Sequence, residues 1–442
     1  MKVQDAIGHE DYGTFSALFA LGFIFMALAD LGVNQYATKT LAGQPERLRE
    51  LLPDLFTIKL GLAVVYPVVL LGIGYLIGYR GQELLLLLVL CAVHVLMQLI
   101  GFFRSAFQAF QYLKLDAVAS ILDRAFILVI LLVLLRAGIG LMSYTLAFLV
   151  SSGLTLLILY GASARLWGWM RPRLRSKEFS KLLKASLPFA VIMVLYSVND
   201  KVDQVMLERI AGDYETGLYS AAYRWVDTFM MYLWTVLPIF FARFAANARD
   251  TSALERLLHF GQGIVALPMI FLCGTIFVHG EKLFWLLGNS TPWEIAQMTA
   301  MLKVLFVAVL INSFFGIYST VLTSTGHESF VSRMIALSIL INVVLNFVFI
   351  PSHGGVAASW NTVVSYIFLS GTYVWYFSQK LTVRIPWAQL FKLTASAALF
   401  GAALVGLTFT PLPWWLSVGI AGLLLAGLGL GLKIVKLERG NV

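Results

Sequence analysis

The chain has 442 residues, 60% of them hydrophobic and only 12% charged, with a mean hydropathy of +0.84. That is more apolar surface than a water-soluble fold can bury, so the chain is read as an integral membrane protein. The net charge of +9 is read as Lys and Arg in cytoplasmic loops, because no nucleic-acid-binding module accompanies it.

The predicted fold class is all-α and polytopic. Most apolar runs exceed the roughly 18 residues that cross the hydrocarbon as a helix, and they lack the alternation of a membrane β-barrel. Thirteen spans are expected, at 14–38, 53–78, 83–109, 115–136, 141–164, 187–209, 216–243, 259–279, 299–323, 329–350, 355–378, 388–409 and 413–435. Residues 1–11 are polar and no cleavable signal peptide is expected. Cys91 and Cys273 lie inside apolar runs and read as small packing residues.

The longest connector, 165–185, carries Arg165, Arg171, Arg173, Arg175, Lys177, Lys181 and Lys184, and reads as a basic strap on the anionic cytoplasmic surface. Alternating outward from it puts Lys39, Arg47, Arg49, Lys114, Arg249, Arg256, Lys380, Arg384, Lys392, Lys433, Lys436 and Arg439 on the same side. Lys2, Arg80, Arg136, Arg209 and Lys282 fall opposite. About twenty cations against about five is a strong positive-inside bias, and it places the C-terminus in the cytoplasm.

The two halves repeat. Gly13, Phe15, Ser16 and Ala17 match Gly217, Tyr219, Ser220 and Ala221 at a constant offset, and residues 111–140 match 325–355. A whole helix precedes Gly217 but almost nothing precedes Gly13, so the first copy is expected to lack its opening helix. The expected organisation is an N-terminal lobe at 1–164, the basic linker at 165–185, a C-terminal lobe at 186–379 and two additional spans at 380–442. Each lobe is a six-helix unit once the missing helix is counted. An even number of helices per copy sends both copies across the membrane in one direction, with any substrate path between them.

Charges inside spans are costly, about 2.5–3.5 kcal/mol each at the bilayer centre even on the lenient insertion scale, and so are expected to face a cavity or a partner. From the helical rise, Asp123 and Arg124 lie within about 4 Å of their span's middle, Asp200 about 3 Å, Asp203 about 7 Å, Asp227 about 4 Å, Arg224 about 8 Å and Asp30 about 6 Å. Lys59, Arg104, Lys303 and Arg333 fall nearer the ends, where snorkelling to the interface competes with a cavity role. Arg224 and Asp227, and Asn199 and Asp203, have the spacing to pair along one helix face. Neighbouring Asp123 and Arg124 point about 100° apart and cannot fully neutralise each other unaided. This mixture of cations suits an anionic substrate such as a phosphate or diphosphate headgroup, with Arg124, Arg224, Lys201, Arg104, Lys59 and Arg333 as the substrate-binding candidates. Asp30, Asp123, Asp200, Asp203 and Asp227 are the candidates for ion coupling. No Walker loop, metalloprotease motif, paired CxxC or nucleophile elbow is present, and the six His are scattered, so neither an enzyme nor a cofactor or metal is expected.

Three stretches carry a resemblance. The first is Gly8-His9-Glu10-Asp11-Tyr12-Gly13-Thr14-Phe15 with Ala29-Asp30-Leu31-Gly32-Val33. The second is Leu187-Pro188-Phe189 with Asp200-Lys201-Val202-Asp203 and Gly217-Leu218-Tyr219-Ser220-Ala221-Ala222. The third is Asn342-Val343-Val344-Leu345-Asn346 with Ile350-Pro351 and Gly354-Gly355-Val356-Ala357-Ala358. In this order and spacing they resemble the polysaccharide transporter branch of the multidrug/oligosaccharidyl-lipid/polysaccharide (MOP) exporter superfamily, which includes O-antigen-type flippases. The resemblance implies two six-helix lobes around a central cavity and alternating access. It also implies a flippase that turns a polyprenyl-diphosphate-linked oligosaccharide across the inner (cytoplasmic) membrane for O-antigen, capsule or exopolysaccharide assembly. The implied partners are the lipid-linked substrate, membrane lipids, and a polysaccharide polymerase with other assembly proteins, with no nucleic acid. The alternatives are a cation-coupled multidrug or small-lipid exporter of the same superfamily and a membrane-embedded glycan polymerase or ligase. The polymerase would want a larger outer loop than the expected one at about 280–298.

Overall fold

The structure, a computed structural model, describes residues 1–34, 45–173 and 176–434; for residues 45, 47, 48 and 176–192 it describes the backbone only. Of the cytoplasmic cations expected from the sequence, Lys39, Arg175, Lys436 and Arg439, and the side chains of Arg47, Lys177, Lys181 and Lys184, lie outside the described residues, as do those of Leu187, Pro188 and Phe189. Two compact units are resolved, residues 2–217 and residues 218–442.

The first unit begins with a short helix α1 (Lys2–Ile7), then α2 (His9–Phe25), α3 (Pro45–Leu76), α4 (Gly81–Ala109), α5 (Leu113–Ala137), α6 (Leu141–Trp167) and α7 (Ser176–Ala211). Here α7 starts well before the expected span at 187. No helix breaker stands between Ser176 and Ala185, so the second half of the basic connector is the opening of α7. Conversely, α2 stops at Phe25 rather than running to residue 38. It tightens into a 3-10 turn at Met26–Ala29, and Leu31 and Gly32 then take left-handed φ of 45° and 77°. Only the glycine accepts that backbone without strain, and the break puts Asp30 at a helix end instead of inside a continuous span.

Two apolar clusters hold this unit together. Leu55, Phe56, Phe102, Phe103, Phe107 and Leu159 bring α3, α4 and α6 into contact. Tyr12, Phe15, Leu18, Tyr66, Leu87 and Tyr144 bring in α2. In lipid this packing is driven by dispersion and shape rather than by water exclusion, and the aromatic rings supply much of it. Phe15 lies 4.5 Å from Tyr144 and 5.6 Å from Phe148, centroid to centroid.

The second unit carries most of α8 (Asp213–Ala246), then α9 (Thr251–His279), α10 (Pro292–Ser324), α11 (Glu328–Lys380), α12 (Trp387–Thr408) and α13 (Trp414–Gly431). The expected spans 329–350 and 355–378 are the two arms of α11, which is broken at Gly354 with φ 52° and ψ −137°. The helix continues past Pro351 to that glycine, which alone can take the break. The two C-terminal helices dock on α9. Gly274 makes room for the Phe400 ring, and Gly422 for that of Phe271.

The arms of α11 are joined by an amide ladder. Asn346 donates to the Asn342 carbonyl at 2.9 Å, and Asn361 from the other arm donates to Asn346 at 2.9 Å. Asn346→Leu removes both bonds and strands two buried amides. A loss of about 1–2 kcal/mol is expected, seen as a lower unfolding midpoint in detergent, with membrane insertion unchanged.

Among the described residues, eleven helices are long and apolar enough to span a membrane, and one of them is the two-armed α11. The all-α polytopic class expected from the sequence is the observed one.

Candidate functional site

The deepest charge pair lies in the first unit. Lys59, near the middle of α3, has its ammonium against the Asp30 carboxylate, and both side chains are fully enclosed. The snorkelling open to Lys59 in the sequence is not realised. Its Nζ also lies 3.3 Å from the Gln98 carbonyl, and the backbone N–H of Asn34 donates to Asp30 at 3.2 Å. The gap beside the pair, lined by Ala63, Val95, Gln98 and Leu99, is too narrow for water. Asp30 Oδ2 has no hydrogen-bond partner among the described residues. The helix break at Leu31-Gly32 delivers Asp30 to this place, and Gln98 and Asn34 are members that sequence reasoning missed. A dry Lys–Asp contact satisfies two charges where neither could stand alone.

The second arrangement separates neighbours. Asp123 on α5 accepts the hydroxyls of Ser151 and Ser152 on α6, each at 3.1 Å, and Ser151 also donates to the Asp123 backbone carbonyl at 2.8 Å. Both serines are buried. Arg124, the next residue, is exposed. Among the described residues no hydrogen bond or ion pair reaches its guanidinium. It lies one residue from the middle of α5, on the face that also exposes Ile121 and Leu128, respectively three residues before and four after it. The fixing of Asp123 on α6 sets the rotation of α5, and that rotation turns Arg124 outward.

The other sequence candidates are spread out. Arg104 is paired with Asp116 at 2.7 Å, and Gln108 donates to the same carboxylate at 2.9 Å. On α7, Lys201 lies 3.2 Å from Asp200, and Asp203 is buried. In the second unit Arg224 is half-buried and stands three residues before Asp227 on α8. Arg333 is exposed and donates to the Ser329 backbone carbonyl at 3.1 Å. The structure thus brings Asp30 and Lys59 together, and Asp200 and Lys201. Among the described residues no ion pair reaches Asp123, and Arg124 beside it is exposed. The serines that hold Asp123 left a faint sequence signal, a polar Ser151-Ser152 pair in the middle of an apolar run.

Residues 3–244, more than half of the chain, match the family described as polysaccharide biosynthesis protein, and residues 188–348 match the MatE family. An uncharacterized membrane protein of Methanocaldococcus jannaschii, MJ1375, is 22% identical over 386 residues, covering 83% of this chain and 90% of that protein. Among solved structures, lipid II flippase MurJ in an inward closed conformation superposes with a TM-score of 0.77 at 15% identity, covering 99% of this chain and 97% of that one. An inward-facing multidrug resistance MATE transporter of the MOP superfamily gives a TM-score of 0.71 at 15% identity, covering 85% of this chain and 91% of that one. A MOP superfamily transporter from Pyrococcus furiosus with a reversed binding-pocket polarity gives 0.60 at 16% identity, with 85% and 88% covered. The match across residues 3–244 shows that this chain belongs to the polysaccharide biosynthesis protein family, and its helical fold is the one shared by the lipid II flippase and multidrug exporter structures.

Proposed function

We propose that the protein flips a polyprenyl-diphosphate-linked oligosaccharide across the cytoplasmic membrane by alternating access, supplying the assembly of a surface polysaccharide. The observation that carries this reading is Arg124, a mid-span guanidinium exposed on an apolar face with no partner among the described residues. Such a charge costs about 2.5–3.5 kcal/mol at the bilayer centre unless something anionic meets it, and a diphosphate matches its planar donors. An amphiphile with an anionic head and an apolar tail also suits the Ile121 and Leu128 surroundings. Arg224 and Lys201 are the further headgroup contacts in this reading. Asp30, held by Lys59, Asp123, held by two serines, and Asp200, Asp203 and Asp227 on α7 and α8 are the coupling candidates in this reading. The charge asymmetry of the loops supports a cytoplasmic C-terminus, and a polymerase with other assembly proteins would take the flipped unit onward.

The MatE match over residues 188–348 supports a second reading, a cation-coupled multidrug or small-lipid exporter. Mass spectrometry of polyprenyl-linked glycans from cells lacking the gene separates the two. Accumulation of one complete lipid-linked unit, with its surface polymer lost, is the expected result. Unchanged lipids and polymer, together with lost efflux of cationic dyes, would replace the flippase with the exporter.

A further inference from the structure

The break in α2 begins at Gly22. Four residues on, the Met26 N–H donates to the Phe23 carbonyl instead of to Gly22, and the Gly22 carbonyl accepts the buried Tyr66 hydroxyl at 2.9 Å. A carbonyl freed inside a span must find a donor within the protein, so Tyr66 is what lets the helix tighten there. Two helices supply the groups that line the break. Tyr66 stands two turns after Lys59 on α3, and His94 one turn before Gln98 on α4, so each helix turns one face towards it. Lys59 and Gln98 hold its end, through Asp30 and Asn34. Tyr66 and His94 meet its start, at Gly22.

His94 is fully enclosed, near the middle of α4. Its Nδ1 lies 2.7 Å from the Leu90 carbonyl. A carbonyl only accepts, so Nδ1 carries a proton, and in the neutral ring Nε2 is an acceptor. Among the described residues nothing donates to Nε2. A methionine or leucine would fill the place without leaving a polar atom bare. The missing donor is close. A Cβ on Gly22 would lie 2.5 Å from His94 Cε1, the atom bonded to Nε2, and 3.2 Å from the Tyr66 hydroxyl oxygen. The two rings stand edge to face, with 6.3 Å between centroids. A swing of the Tyr66 side chain past Gly22 brings its hydroxyl to Nε2, and any larger residue at position 22 would stand in the way.

We propose that residues 22–26 are a hinge in α2 with two settings, and that Tyr66 and His94 are the positioning residues that hold them. In the setting seen here Tyr66 donates to Gly22 and Met26 to Phe23. In the other, the Met26 N–H returns to the Gly22 carbonyl, one full α-turn back, and the displaced Tyr66 hydroxyl donates to His94 Nε2. A short 3-10 stretch in a long helix is a common place for such a change. Each setting contains two hydrogen bonds, so the exchange gives up none. It moves no charge through the dry interior, because the Lys59–Asp30 pair anchors the segment beyond the hinge. A fixed kink would need only the Tyr66 bond. The bare acceptor beside it is what a second setting requires. The hinge does not depend on which cargo the protein carries.

Nitrogen-15 NMR of the histidine-labelled whole chain in lipid bilayers tests the hinge, with the His94 signals assigned by their loss in His94→Met. For Nε2 of His94 a bare and a hydrogen-bonded signal are expected, or one signal at their average position, and Tyr66→Phe should leave only the bare one. A lone bare signal in the unaltered protein, or a bonded signal that survives in Tyr66→Phe, would overturn the hinge. Thermal unfolding in detergent separates the hinge from a packing role. Tyr66→Phe should lower the midpoint by several degrees, because it strands the Gly22 carbonyl, whereas His94→Met should leave it unchanged or raise it. Equal losses in the two would make His94 a structural residue only and overturn its part. If Tyr66→Phe does not accumulate, the His94 Nε2 signal of the unaltered protein decides. Neither readout needs a substrate, so a failure of the flippase reading leaves both standing.

Discussion

Lys59→Met is expected to strip most of the protein from the membrane fraction, and adding Asp30→Asn is expected to restore much of it. Both side chains are fully enclosed and the space beside them is dry, so no water replaces the lost ammonium. Leaving one buried charge unpaired costs about 3–5 kcal/mol, a large part of the roughly 5–15 kcal/mol that holds a typical protein folded. Replacing both partners by neutral groups of similar shape removes the stranded charge, and such exchanges are often close to neutral in stability. Membrane abundance and the unfolding midpoint in detergent measure the effect. Two further outcomes are informative. Wild-type abundance of the single variant would mean that Asp30 is not confined with Lys59, and would return Lys59 to the headgroup contacts. A double variant that folds but no longer transports would show that the pair serves the cycle beyond stability.

The pair also shows where sequence reasoning stops. Spans, their order and the break at Gly354 are written in local terms: long apolar runs bounded by residues whose backbone preferences are known. The spacing of Asn342 and Asn346 likewise points to a shared face, and the structure adds Asn361 from the other arm. Lys59 and Asp30 are 29 residues apart, and their meeting depends on α2 ending early, at a turn whose only mark is Gly32. The depth of Lys59 was equally hidden. A lysine stem can snorkel or stay, and only the packing of α2, α3 and α4 around it decides. Asp123 and Arg124 were legible as a problem, since neighbours about 100° apart on a helix do not fully neutralise each other unaided. The serine pair that resolves one half of it lies on α6, and contacts between helices are not encoded in either helix alone. Gly13 and Gly217 also meet, a Cβ on either falling within 2 Å of a backbone carbonyl of the other's helix, and that contact had a signal, the matched repeat. Equivalence in a repeat, however, says that two positions are alike, not that they touch.

Arg124→Ala is expected to abolish polysaccharide export while leaving the amount of protein in the membrane unchanged. The two halves of that expectation have different causes. Arg124 is exposed and makes no bond with the described residues, so its removal strands nothing and opens no cavity. A guanidinium that binds a diphosphate through charge-assisted hydrogen bonds, by contrast, contributes about 1.5–3 kcal/mol, and its loss slows transport roughly tenfold to over a hundredfold. Arg124→Lys keeps the charge but loses the planar pair of donors, so an intermediate rate is expected. Ser151→Ala with Ser152→Ala probes the same site indirectly. Freed from α6, Asp123 is no longer fixed and α5 loses the contact that sets its rotation, so export should fall with the guanidinium itself intact. Export is read from surface polymer, and protein level from immunoblots of membranes. Normal export by Arg124→Ala would remove the phosphate contact from α5, and weight would move to the exporter reading and to the acidic residues Asp200, Asp203 and Asp227. Equal loss of export in Arg124→Lys and Arg124→Ala would instead show that directional donors, not charge alone, are what the substrate requires.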